Sequence, residues 1–172
     1  MLRKILLISI LILLITGIGF AFQNEPDGFR GLEWGDAPTE DMVFSYRVIS
    51  EYNIYKGNYY YRKSDKLNIG SAGLDSIKYI FNLYSNQFYK MQAIFTGETN
   101  YDILKIILEG IFGKPIWKDD YFLRWIGDNA EISLYFNSKK KGGLFAIIST
   151  EIRPESPEDN EQKEIEKAKE DF

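Results

Sequence analysis

Two runs in the middle of the chain leave little freedom of fold. From residue 76 to 84, Ile77, Tyr79, Phe81 and Leu83 alternate with Lys78, Ile80, Asn82 and Tyr84; from 88 to 96, Tyr89, Met91, Ala93 and Phe95 alternate with Phe88, Lys90, Gln92 and Ile94. A period of two places successive side chains on opposite faces of a strand. Ser85-Asn86-Gln87 supplies the turn between the runs. The pattern predicts a long antiparallel hairpin with an apolar face, and such a hairpin is stable only against further strands or a helix.

The flanking sequence supplies both. Strands are predicted over residues 46–51 and 58–63, with a shorter one at 66–69. Three more follow at 121–126, at 130–136 after the Gly127-Asp128-Asn129 turn, and at 144–150 after the 137–143 loop. Residues 29–35 read as a short extended entry. Asp36, Pro38, Thr39 and the acids Glu40 and Asp41 are helix-start signals and predict a short helix to about Phe44. A longer helix is predicted after Thr99, with Asp102 completing a capping box and Leu104, Ile107, Leu108 and Ile111 on one face; Gly113 ends it and Pro115 prevents resumption. The expected class is α+β, an antiparallel sheet with helices packed on one face. The order helix, strands, helix, strands suggests two similar α-plus-meander halves, 29–97 and 98–150. The other sheet face would be open and carry much of the tyrosine.

The two ends are different in kind. Arg3 and Lys4 precede an apolar run from Ile5 to Ile15, and Gly19-Phe20-Ala21 places small residues where a signal peptidase reads. Residues 1–21 read as a secretory signal, which puts the protein in the periplasm or outside the cell. The rival reading is a retained inner-membrane anchor over residues 5–22, close to the length a spanning helix needs; only then would a membrane be a partner. Residues 22–153 form the expected single domain. Residues 154–172 hold eight acids against three lysines and lack a core-forming pattern, so they read as a solvated acidic tail.

Composition narrows the chemistry. The chain has no His and no Cys. A Ser-His-Asp or Cys-His triad, a redox dithiol, and thiolate or imidazole metal sites are all excluded. The net charge of −4 resides mostly in the tail. The folded part is thus near neutral and has no electrostatic footprint for nucleic acid. The one basic run, Lys139-Lys140-Lys141, precedes Gly142-Gly143 and reads as loop decoration.

Four groups are candidates for function. Asp119, Asp120, Asp128 and Glu131, with Asn129, are the densest acidic group. They offer oxygen ligands but lack the spacing of a calcium loop, and turn formation explains them. Asp119, Asp120 or Glu131 could furnish a carboxylate pair for glycoside hydrolysis, if a cleft held two of them at the required separation. Tyr59 and Tyr61 share one strand face, with Tyr60 on the other. They are the candidate ligand-binding residues, an aromatic platform for a sugar or a protein partner, against the plainer reading of ordinary β-propensity. Trp34, Trp117 and Trp125 read as core anchors.

The segment Phe29-Arg30-Gly31-Leu32-Glu33-Trp34-Gly35 resembles a group of uncharacterised exported bacterial proteins whose mature region opens Phe-Arg-Gly-x-x-Trp-Gly. The second half agrees in pattern, through Gly113-Lys114-Pro115, Trp125 and Gly127, then Ile132, Leu134 and Tyr135, then Gly143-Leu144. The likeness spans most of 29–152 and implies compartment and fold, with no activity. The expected α-plus-meander duplication also looks like the architecture of secreted β-lactamase inhibitors, an analogy of fold alone. The expected function is a non-enzymatic exported module that binds a protein or envelope component, without a cofactor or metal. The alternatives are a carbohydrate-binding module using exposed Tyr, and a carboxylate-dependent hydrolase.

Overall fold

A computed structural model describes residues 22–49, 56–152 and 169. The signal or anchor segment 1–21, residues 50–51 of the strand predicted over 46–51 and, Lys169 apart, residue 153 with the acidic tail 154–172 lie outside the described residues.

The alternating hairpin forms as β7 (Ser76–Phe81) and β8 (Phe88–Thr96). Asn86 at φ 56 and the Asn82 side chain, which accepts from the Tyr84 and Ser85 N–H groups, close its turn. Around it lie β1 (Gly28–Phe29), β2 (Leu32–Glu33), β3 (Met42–Val48), β4 (Gly57–Arg62), β5 (Asn68–Ile69), β6 (Ala72–Gly73), α1 (Glu98–Phe112), β9 (Trp117–Lys118), β10 (Phe122–Ile126), β11 (Ala130–Asn137) and β12 (Gly142–Ser149). One antiparallel sheet of eight strands runs β3-β4-β7-β8-β12-β11-β10-β9. Residues 29–97 contribute one consecutive four-stranded meander and 98–150 the other. The two join through their last strands, with Met91 opposite Ile147 and Phe95 opposite Gly143. β1-β2 and β5-β6 are separate two-stranded ribbons.

The class is α+β but dominated by the sheet. Residues 22–49 and 56–152 contain one helix, α1, so among the described residues helices do not layer the face and the first half has no helix of its own. The helix predicted to about Phe44 is replaced by a turn, with Met42 N–H bonded to the Thr39 carbonyl, followed by β3. The residues expected to start a helix serve a turn instead: the Asp36 carboxylate accepts from the Glu33 N–H. Met42-Val43-Phe44 then pair with Arg62-Tyr61-Tyr60. A ladder partner and β-rich side chains outweigh local capping signals.

α1 starts after Gly97 at φ 93 without a side-chain cap, so the expected Thr99–Asp102 box is not formed. Its buried stripe is Tyr101, Leu104, Leu108 and Phe112, rotated from the predicted one, and Ile111 is exposed. The stripe meets Tyr79, Phe81, Phe88, Met91, Phe95, Trp125, Ile132 and Leu134 in one core, which the ribbons extend with Leu32 and Ala72. One residue of the hairpin departs from strict alternation. Ile80 faces Lys90 and Phe81 faces Phe88, so Tyr89 is an extra residue. This bulge turns Phe88 into the main core and Tyr89 to the opposite face. Trp125 is a core anchor and Trp34 stacks on Phe88 at 4.9 Å, but Trp117 is 62% exposed, contrary to expectation.

Candidate binding surface

Register decides which residues share the face opposite α1. Cross-strand neighbours lie side by side on one face. One row runs Tyr46, Tyr59, Ile80, Lys90, Ile148, Glu131 and Ile126. A second joins Ile94, Leu144, Tyr135 and Phe122 across β8, β12, β11 and β10. Ile94 is 48% and Tyr135 44% exposed, so this apolar row faces solvent. Trp117, beside Arg124 at the β9 edge, extends the surface.

Tyr59 and Tyr61 do share this face, as the period of two requires. They do not share an environment. Tyr59 is 4% exposed and packs with Ile80, Tyr89, Val48, Ile148 and Ile152. Tyr46 covers it, stacked at 4.6 Å and 18°, and is itself the exposed ring at 46%. Tyr61 is half-buried, with the Lys78 ammonium 5.0 Å above its ring. Tyr46 thus stacks on Tyr59, and the Lys78 ammonium links Tyr46, 5.8 Å away, to Tyr61. Tyr46 escaped sequence reasoning because its pairing with Tyr59 depends on a bulge at Ser45, where the β3–β4 register shifts.

The charged groups on the face are held by specific contacts. Arg124 donates from Nε and Nη2 to the two carboxylate oxygens of Glu131, each at 2.8 Å. Lys90 is buried between Ile80 and Ile148. Burial lowers its pKa to about 8, with Glu131 pulling the other way. Lys78 donates to the Ser45 hydroxyl at 3.2 Å.

A cleft opens beside Tyr61. The β4–β7 ladder ends at Tyr60–Tyr79, yet β4 continues to Arg62 and β7 begins at Ser76. Between these ends lies a cavity of about 420 Å³ lined by Tyr61, Arg62, Lys63, Asp65, Leu67, Asp75, Ser76, Ile77 and Lys78. Its back wall is a buried ionic network. Asp65 Oδ1 accepts from Arg30 Nη1 and from the Tyr79 hydroxyl, each at 3.2 Å. Arg62 lies over the Tyr79 ring at 4.9 Å and donates to the Arg30 carbonyl at 3.0 Å. Burial, then the Asp65 charge, push the Tyr79 pKa upward, keeping the hydroxyl a donor. Asp65 is 9% exposed at its side chain, and its Oδ2 makes no hydrogen bond. Arg62 Nε is 3.3 Å from Asp41 Oδ2, but its angle makes no hydrogen bond either.

The acidic group of the second half is dispersed. Asp119 accepts from the Tyr121 N–H at 3.0 Å, and Glu131 is held by Arg124. The Asp128, Asn129 and Ala130 amides all point at the Glu25 carboxylate, at 3.2, 2.6 and 2.6 Å. This turn is thus a backbone anion nest filled by a side chain 103 residues or more away in sequence. Among the described residues no three His, Cys, Asp or Glu side chains gather where a metal ion could be held. Lys139, Lys140 and Lys141 lie exposed in the β11–β12 loop. Among the described residues no helix is long and apolar enough to cross a membrane.

The chain matches no family model, no curated protein and no solved structure with which it was compared.

Proposed function

We propose that this protein is a non-enzymatic binding module of the bacterial envelope, periplasmic or secreted, that holds a protein or envelope component against the solvent-facing part of the sheet face opposite α1. The observation that carries the reading is the row Ile94, Leu144, Tyr135 and Phe122, which crosses four strands and faces solvent beside Trp117. A contiguous exposed apolar surface on one side of a well-packed sheet is what an interaction site requires. Tyr and Trp supply contact area at low entropic cost. The sequence supports the compartment through its N-terminal segment and its resemblance to exported proteins. The absence of His and Cys supports a binding role over catalysis.

The test is capture from the protein's own envelope fraction, comparing the wild type with an Ile94→Ser/Tyr135→Ser variant. Both side chains are about half exposed, so the variant is expected to keep its fold and nearly its full stability, within ~0.5 kcal/mol per site. It is expected to lose the captured component. Equal capture by a folded variant would exclude this face.

A further inference from the structure

We propose that the cleft where β4 and β7 diverge is a binding site for a neutral saccharide. This site uses other side chains than the apolar row, although its wall residue Ser76 is the cross-strand neighbour of Ile94, so the two surfaces adjoin. Its volume of about 420 Å³ lies within the ~300–1,000 Å³ typical of small-molecule sites. The lining alternates in sign: Arg62, Lys63 and Lys78 against Asp65 and Asp75. An anion or a cation entering it meets like charge as well as opposite charge. A hydroxyl, which donates and accepts at once, can satisfy both sets. The Tyr61 ring and Leu67 give apolar surface for the C–H face of a sugar ring.

The back wall is held by the Asp65 network. Asp65 Oδ2 is buried and makes no hydrogen bond, while its Oδ1 already takes two donors. A buried carboxylate oxygen without a donor is costly, and native structures seldom leave one unexplained. That oxygen is closed to solvent, so it belongs to the wall of the cleft and is not a contact a bound ligand would make.

The experiment is a titration of the isotopically labelled protein with chitohexaose, cellohexaose and maltohexaose, followed by NMR. Each is taken to about 5 mM, which detects millimolar Kd values. At least one is expected to shift the signals of Tyr61, Leu67 and Ser76 saturably. Tyr61→Leu is expected to weaken that binding by about tenfold or more. Asp75→Asn keeps an acceptor for the Thr96 hydroxyl, now 2.7 Å from Asp75 Oδ2, and serves as a second probe that leaves the buried network intact; it is expected to weaken binding severalfold. Tyr135→Ser, two strands beyond Ile94 and so away from the cleft, is expected to bind the saccharide as the wild type does. No saturable shift with any of the three, shifts confined to the Ile94–Phe122 row, or unchanged affinity in a folded Tyr61→Leu protein would each overturn the proposal.

Discussion

Gly143 sits at the join of the two meanders, opposite Phe95 on one side and Phe136 on the other. A Cβ there would lie 2.1 Å from Phe95 Cζ and 2.6 Å from the Tyr135 carbonyl oxygen. Neither neighbour can yield cheaply. The Phe95 ring is fully buried and runs parallel to Phe136 at 6.3 Å and 8°. The oxygen belongs to the β11 backbone, which the ladder holds. Overpacking of this kind costs ~1–3 kcal/mol. Relief of glycine's entropic disadvantage returns ~0.5–1 kcal/mol of that. Because one clash is with backbone, the upper range applies, and Gly143→Ala is expected to lose about 2 kcal/mol. At ~2–4 °C per kcal/mol for a domain of this size, Tm falls by ~4–8 °C. Urea unfolding followed by tryptophan fluorescence reads the same change as a lower midpoint at an unchanged slope. Phe95→Leu, which withdraws the ring edge, should be less damaging in the Gly143→Ala background than alone, with a coupling of ~1 kcal/mol. An unchanged or higher midpoint in Gly143→Ala would refute the reasoning, because it would mean that Phe95 does not lie across the strand.

Burial separates the two tyrosines: Tyr59→Ala is expected to cost ~3–5 kcal/mol by urea unfolding, whereas Tyr61→Ala should cost well under half as much. Similar costs would mean the Tyr46–Tyr59 stack is not formed. The Lys90 pKa of about 8 lies below its usual 10.5, so between those values the unfolded chain binds a proton that the folded one lacks. Stability should therefore rise from pH 8 toward pH 10. Above pH 10 the buried Tyr79 and Tyr89, whose pKa values are raised, reverse the slope because the unfolded chain then loses protons that the folded one keeps; Lys90→Met should abolish the rise in urea midpoints and leave the alkaline fall. Glu25→Ala removes the acceptor of three turn amides and is expected to cost ~1–3 kcal/mol, with faster amide exchange at Asn129 and Ala130; unchanged exchange there would mean the nest is satisfied by water.

Elements whose signal is local could be read from the chain. The β7–β8 hairpin follows from its alternation and the Asn-rich turn, α1 from its 3.6-residue periodicity and Gly113, and β10–β11 from Gly127-Asp128-Asn129. That Tyr59 and Tyr61 share a face is a property of any strand. Their different fates are not: one is roofed by Tyr46 and the other lies beside a cleft, and both outcomes depend on pairings with residues 42–48 and 76–81.

Residues 36–44 show the same division. Their capping signals are local and suggest a helix, whereas the ladder with β4 that makes them strand is contact between distant residues. The Tyr89 bulge, the rotation of α1 and the exposure of Trp117 likewise depend on what stands opposite each residue. By itself, then, the sequence determined the periods, the turns, the helix stop and the exclusion of His and Cys chemistry. Only the tertiary structure decided which sheet face α1 covers, that the two meanders join at β8 and β12, and that β4 and β7 part to form a cleft. The physical reason is that a period of two says which side chains travel together, while burial depends on neighbours that the chain brings in from far along its length.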